Sequence, residues 1–197
     1  MEIVLATANR GKIEEIIDIL GGLPVSFITK DQMPPWPEIV ESGDTYLENA
    51  LIKARALVEF SGKAALADDS GIEIDALDGA PGVRSARFAG PQATDEQNNR
   101  RMAELLAGVP PERRTARYRC IAVLLLPDGT QLAGEGTCEG RIAEEPAGTN
   151  GFGYDPWFIP EGQDKTFGQL PLEFKHGISH RGKALRELAA KMRDNGF

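Results

Sequence analysis

Apolar residues along this chain follow two periods. Ile3-Val4-Leu5-Ala6 is a near-continuous apolar run, as expected of a strand buried on both faces. After a polar stretch, Ile13, Ile16, Ile17 and Leu20 recur at i, i+3, i+4 and i+7, which predicts a helix stopped by Gly21-Gly22. Thr45-Tyr46-Leu47-Glu48 reads as a capping box opening a second helix, with Leu47, Ala50, Leu51, Ala54, Leu57 and Val58 inward and Gly62 at its end. On that helix Asn49 and Lys53 stand four apart and share a face. Residues 64–67 and 72–74 are strand candidates on either side of Asp68-Asp69-Ser70-Gly71. Thr94-Asp95-Glu96-Gln97 starts a third helix, with Met102, Leu105 and Leu106 inward. Residues 118–126 and 131–137 flank Pro127-Asp128-Gly129, a hairpin signal. Trp157-Phe158-Ile159 is a short strand candidate. The last helix runs from about Ser179, with Leu185, Leu188, Ala189 and Met192 inward and Gly196 just past it.

Helices and strands alternate first, and a hairpin comes later. That predicts an α/β fold with a mixed sheet rather than a purely parallel one. Pro34, Pro35 and Pro37 make residues 31–43 a loop, and residues 145–153 form a glycine-rich loop. The chain has 197 residues, which suits one domain of two lobes over residues 1–197. Its 22 basic and 30 acidic residues leave a net charge of −8, so no basic excess is available to bind nucleic acid through its phosphates. No basic segment leads a long apolar core at the N-terminus, and no apolar run approaches the ~20 residues of a membrane helix. With only Cys120 and Cys138, a disulfide scaffold and a cysteine-rich zinc site are both excluded, and a reducing, cytoplasmic setting is expected. The two cysteines lie symmetrically about the hairpin turn, which suggests a packed pair of thiols.

The polar stretch Thr7-Ala8-Asn9-Arg10-Gly11-Lys12 lies between a buried strand and a helix N-terminus. Free N–H groups and the helix dipole make such a place suitable for an anion, with Lys12 adding a mobile charge. A polar connection with a solvated lysine fits the same pattern. Walker A spacing is missing. Asp68 and Asp69 end an apolar run, where strand-end carboxylates serve as Mg²⁺ ligands; an Asx turn is the plainer reading. Gly151-Phe152-Gly153-Tyr154-Asp155-Pro156 offers Phe152 as a surface for a planar base, or as a hydrophobic plug. Lys175 and Ser179-His180-Arg181-Gly182 bring cations to the start of the last helix. Glu41, in the proline-rich loop, says nothing alone.

Taken together these residues resemble a known family. Thr7-x-Asn9-x-x-Lys12, Glu48-Asn49-Ala50-x-x-Lys53, Ala67-Asp68-Asp69-Ser70-Gly71, Gly79-x-Pro81-Gly82-x-x-Ser85-Ala86-Arg87, Gly151 to Pro156 and Ile178-Ser179-His180-Arg181-Gly182-Lys183-Ala184 are similar, in order and over almost the whole chain, to the inosine triphosphate pyrophosphatase family. Its bacterial dITP/XTP branch is nearest. One departure is Phe174-Lys175-His176, where the family commonly has Glu-Lys-Asn.

The resemblance implies a two-lobed α/β fold around a long mixed sheet flanked by helices, usually a homodimer. It implies Mg²⁺-dependent hydrolysis of non-standard purine nucleoside triphosphates to monophosphate and pyrophosphate. By matching motif, Thr7, Ala8, Asn9, Arg10, Gly11, Lys12 and Lys53 contact the triphosphate. Asp69 is general base and metal residue, and Glu41 is the second metal-site acid. Ser70, Phe152, Gly153, Tyr154, Asp155, Lys175, His180 and Arg181 match substrate-contacting positions. Alternation along an extended run divides the acid pair, leaving Asp68 a bracing role. Two rival readings are a sensor that holds a purine triphosphate uncleaved and a Maf-like pyrophosphatase for modified pyrimidines.

Overall fold

The computed structural model describes residues 1–36 and 39–197. Pro37 and Glu38, from the expected proline-rich loop, lie outside the described residues. Among the described residues the strands are β1 (Glu2–Leu5), β2 (Ser26–Ile28), β3 (Ala64–Ile74), β4 (Thr115–Leu125), β5 (Gln131–Ile142) and β6 (Phe158–Pro160). They form one six-stranded sheet in the order β2-β1-β3-β4-β5-β6. Strand β1 runs parallel to β2 and β3, whereas β5 and β6 are antiparallel, so the sheet is mixed as the sequence pattern predicts. The helices are α1 (Arg10–Leu20), α2 (Tyr46–Ser61), α3 (Asp95–Leu105), α4 (Leu172–Ile178) and α5 (His180–Asp194).

The chain divides into two compact units. The first contains Met1–Asp69, Cys120–Gly136 and Arg181–Phe197; the second contains Ser70–Arg119 and Thr137–His180. The first unit buries apolar side chains on both faces of its strands. Ile3, Leu5, Ala64 and Leu66 join Ile16 and Leu20 of α1 and Leu185 and Leu188 of α5. Val4, Ala65 and Ala67 join Ala54 and Leu57 of α2. Odd residues of β1 and even residues of β3 thus face α1 and α5, and the intervening residues face α2. The second unit packs Ile72 and Ile74 with Met102 of α3, Tyr118, Phe158 and Phe167.

Several expectations are corrected. Asn9 caps α1 by accepting from the Lys12 N–H, so residues 10–12 form the first helical turn, not a loop. Strand β3 runs unbroken through Asp68 and Asp69 with no turn at the acids. Ile17 is 43% exposed, because Glu15 occupies the inward position of α1 as one half of a buried ion pair. Leu47 and Leu105 also point outward, Leu105 yielding the core position to Leu106. Lys175 lies on α4, a separate short helix ahead of α5. Cys120 and Cys138 are both buried and neither forms a disulfide; Cys120 lies in the core of the first unit and Cys138 in that of the second.

Candidate active site

In the first unit, α2 presents two polar side chains to Asp69 in the middle of β3. The helix is fixed by its capping box, in which Thr45 accepts from the Glu48 N–H while Glu48 accepts from the Thr45 N–H. One turn in, Asn49 Nδ2 donates to Asp69 Oδ2 at 3.3 Å and Lys53 Nζ donates to Asp69 Oδ1 at 3.3 Å. Lys53 Nζ also lies 3.3 Å from Glu41 Oε1. Asn49 Oδ1 accepts from the Gly43 N–H at 2.8 Å, so one amide ties the loop carrying Glu41 to Asp69. A cavity of about 360 Å³ opens here, lined by Thr7, Ala8, Trp36, Glu41 and Lys53 among others.

Asp68 takes the opposite face. Its Oδ2 accepts from Lys12 Nζ at 2.9 Å and from Arg181 Nε at 3.1 Å, and Arg181 also donates to Glu15 Oε2 at 2.8 Å. Arg181 is 1% exposed, so its guanidinium faces these two acids. Among the described residues, buried Asp68 Oδ1 has no hydrogen-bond partner.

In the second unit, Asp155 organises the glycine-rich loop. Its Oδ2 accepts from the Phe152 N–H at 2.9 Å and from Lys175 Nζ at 2.6 Å. Lys175 Nζ lies 4.9 Å from the centroid of the Phe152 ring, within cation–π range. The buried Tyr154 donates to the Ser85 carbonyl at 2.8 Å. The buried ring of His180 stacks on Tyr118, with centroids 4.5 Å apart and planes 7° from parallel. Ser70 is half-buried in β3.

The Ham1 family model matches residues 3–191. This chain belongs to the Ham1 family. A dITP/XTP pyrophosphatase of Desulforamulus reducens is 48% identical over 187 residues, covering 95% of this chain and 93% of that protein. A protein of the same name from Streptomyces coelicolor is 46% identical over 194 residues, covering 98% and 97%. A HAM1 protein from Coxiella burnetii superposes with a TM-score of 0.90 at 41% identity, over 98% of this chain and 99% of that one. The resemblance read from the motifs is borne out.

The electrostatics of this Ham1 chain separate its two adjacent acids. Burial pushes the Asp69 carboxyl up, and Glu41 and Asp68 push the same way; Lys53 and Lys12 oppose them without prevailing. For Asp68 burial acts in the same direction, but Lys12, Arg181 and Lys53 override it and hold the carboxyl well below the usual carboxylate range. Burial would lower Lys53, yet Asp69, Asp68 and Glu41 together raise it. Asp69 is therefore the acid whose burial is not offset by its neighbouring cations. Among the described residues no cluster of three His, Cys, Asp or Glu side chains forms a metal cage. Asp69 and Glu41 nevertheless converge on one nitrogen, and a carboxylate pair suits a hard divalent cation that keeps waters and phosphate oxygens.

The structure brings in three residues that the sequence did not offer as candidates: Glu15, Tyr118 and Asn99, whose amide donates to the Gly153 carbonyl. It gives Asn49, marked in the sequence only as sharing a face with Lys53, a direct bond to Asp69. Asn49 carried a usable signal, its i,i+4 spacing from Lys53. Glu15, on an otherwise apolar helix face, was a second. Nothing local marks Tyr118 or Asn99, whose contacts come from chain segments dozens of residues away.

Proposed function

We propose that this chain hydrolyses the α–β phosphoanhydride of non-standard purine nucleoside triphosphates (dITP, ITP, XTP and dXTP), giving the monophosphate and pyrophosphate. The observation that carries this reading is the convergence of Asp69 and Glu41 on Lys53, with Asp69 raised by burial and by its acidic neighbours. The names of the relatives, dITP/XTP pyrophosphatases, support it. Removing the triphosphate keeps such bases out of DNA and RNA.

Asp69 would orient and deprotonate the attacking water, a contribution of roughly 10²–10⁴-fold. Before a cation binds, burial raises its proton affinity above that of an ordinary aspartate. Lys53, Lys12 and the N-terminal turn of α1 would offset the charge of the triphosphate, which carries about four negative charges at neutral pH. Asp69 and Glu41 would hold a divalent cation, for which we propose Mg²⁺; when bound it supplies charge stabilisation to the transferring phosphoryl group.

Base selection falls to the second unit. The Phe152 ring offers a stacking face, and Lys175 and His180 are donors suited to a 6-keto oxygen, which adenine lacks. Arg181, held by Glu15 and Asp68 in the first unit, would reach a substrate only by giving up those acids. A non-cleaving sensor fits less well, because an ionised acid pair near a bound polyphosphate is unfavourable without a metal. We further propose a homodimer working in the cytoplasm.

The test is pyrophosphate release with Mg²⁺ from dITP and XTP beside dATP, dGTP, dCTP and dTTP. Release from dITP and XTP above the others is expected. Single phosphate as product would reject α–β cleavage, and no release from any would favour the sensor. Asp69→Asn should lose roughly 10²-fold or more in turnover with its melting temperature retained.

A further inference from the structure

Helix α3 makes two hydrogen bonds to one residue of the glycine-rich loop. Asp95 Oδ2 accepts from the Gly153 N–H at 2.8 Å, and Asn99 Nδ2 donates to the Gly153 carbonyl at 3.0 Å. Asp95 and Asn99 are four apart and so share a face of α3. Both polar groups of a single peptide residue are thus held by one rigid element.

Neither side chain makes the cap of the helix. Thr94 and Gln97 already cap α3 reciprocally, Thr94 accepting from the Gln97 N–H and Gln97 from the Thr94 N–H. Asn98, also on α3, binds elsewhere, to the Ala89 N–H and the Ala86 carbonyl. Asp95 is therefore spare for Gly153. Asn99 leaves its own Oδ1 buried with no partner among the described residues, an arrangement that does not favour the fold. The function of the pair lies at Gly153.

Gly153 holds a left-handed conformation at φ +61°, between Phe152 and the buried Tyr154 and Asp155. A displacement there moves the Phe152 ring and the Phe152 N–H that Asp155 accepts, and through Asp155 it moves Lys175. We propose that Asp95 and Asn99 are positioning residues of the purine site, clamping Gly153 so that Phe152 and the Asp155–Lys175 pair are held ready for the base. This rests on the reading given above and adds residues that set base affinity. Neither side chain touches the reacting phosphate, so loss of the clamp should appear in substrate affinity rather than in turnover.

The experiment uses the full chain with Asp95→Ala, Asp95→Asn, Asn99→Ala and Asn99→Leu. Steady-state kinetics on dITP with Mg²⁺ are paired with amide hydrogen exchange over residues 151–154. Asp95→Ala and both Asn99 variants should raise KM about tenfold with kcat within about twofold. Asp95→Asn keeps an acceptor oxygen and should restore KM. Exchange at Gly153 should quicken in Asp95→Ala, and the melting temperature of Asn99→Leu should hold or rise. Wild-type protein that releases no pyrophosphate from dITP would overturn the functional reading. An active wild type with KM unmoved in Asp95→Ala and Asn99→Leu would overturn the clamp alone. So would a fall in kcat at constant KM, or an Asp95→Asn no better than Asp95→Ala.

Discussion

Asp68 and Asp69 are chemically identical neighbours, and the pleat of β3 gives them opposite fates. Even positions of the strand face α1 and α5, where Lys12 and Arg181 meet Asp68; Asp69 faces α2, where Asn49 and Lys53 meet it. This yields separate pH behaviour. Asp69 is raised, so its base form is lost as pH falls through a value above the ordinary aspartate value of ~3.9. In the metal-free chain the Asp69 carboxyl should titrate above that value by NMR and fall when Mg²⁺ is added; a metal-free value at or below ~3.9 would remove the effect of burial on Asp69. Asp68 is depressed, so its stabilisation is complete above ~3.9 and is lost as pH falls toward its folded value. Asp68→Asn leaves Lys12 and Arg181 facing a neutral group and should cost on the order of 3–5 kcal/mol. Chemical denaturation should show that deficit at pH 7 and a shrinking one below pH ~4. Equal loss of turnover from Asp68→Asn and Asp69→Asn, at matched folded fractions, would contradict their division of labour.

Among the elements, α2 was the most legible, since its capping box and glycine stop are local chemistry. Strand β3 was not, because Asp68-Asp69-Ser70-Gly71 carries turn residues that local propensity reads as a break. Cations from α1, α2 and α5 neutralise those acids and let the strand continue, a tertiary effect that no local window contains. Helix α4 was missed because its seven residues include a glycine and show no apolar stripe. A packing constraint also acts at this scale. A Cβ on Gly134 of β5 would lie 2.1 Å from the Ala184 carbonyl oxygen and 2.6 Å from the Leu188 nitrogen of α5. Gly134→Ala should therefore cost about 1–3 kcal/mol, whereas Gly22→Ala, with nothing within 4 Å, should not. Thermal or urea melts of the two variants make the comparison.

For the whole molecule, a net charge of −8 and a polyanionic substrate are compatible only if cations are concentrated where the phosphates bind. Lys12 and Lys53, each balanced by acids within the first unit, are the cations proposed for that role. Because Lys53 lies within ion-pair distance of both Asp69 and Glu41, the fold is expected to survive removal of the metal. A chelator should abolish pyrophosphate release while leaving far-ultraviolet circular dichroism and the melting temperature nearly unchanged; full activity under chelation would remove the metal from the reaction. The sequence by itself determined the α/β class, the mixed sheet, most helices and, through ordered motifs, the family, since periodicity, caps and motif spacing are local properties. It also brought Asn49 and Lys53 onto one face. Only the tertiary structure decided what Asp68, Arg181 and Glu15 do together, that Lys53 joins Glu41 to Asp69, and that α3 grips Gly153. Those outcomes depend on burial and on charges brought together from distant parts of the chain, and both exist only once the chain is packed.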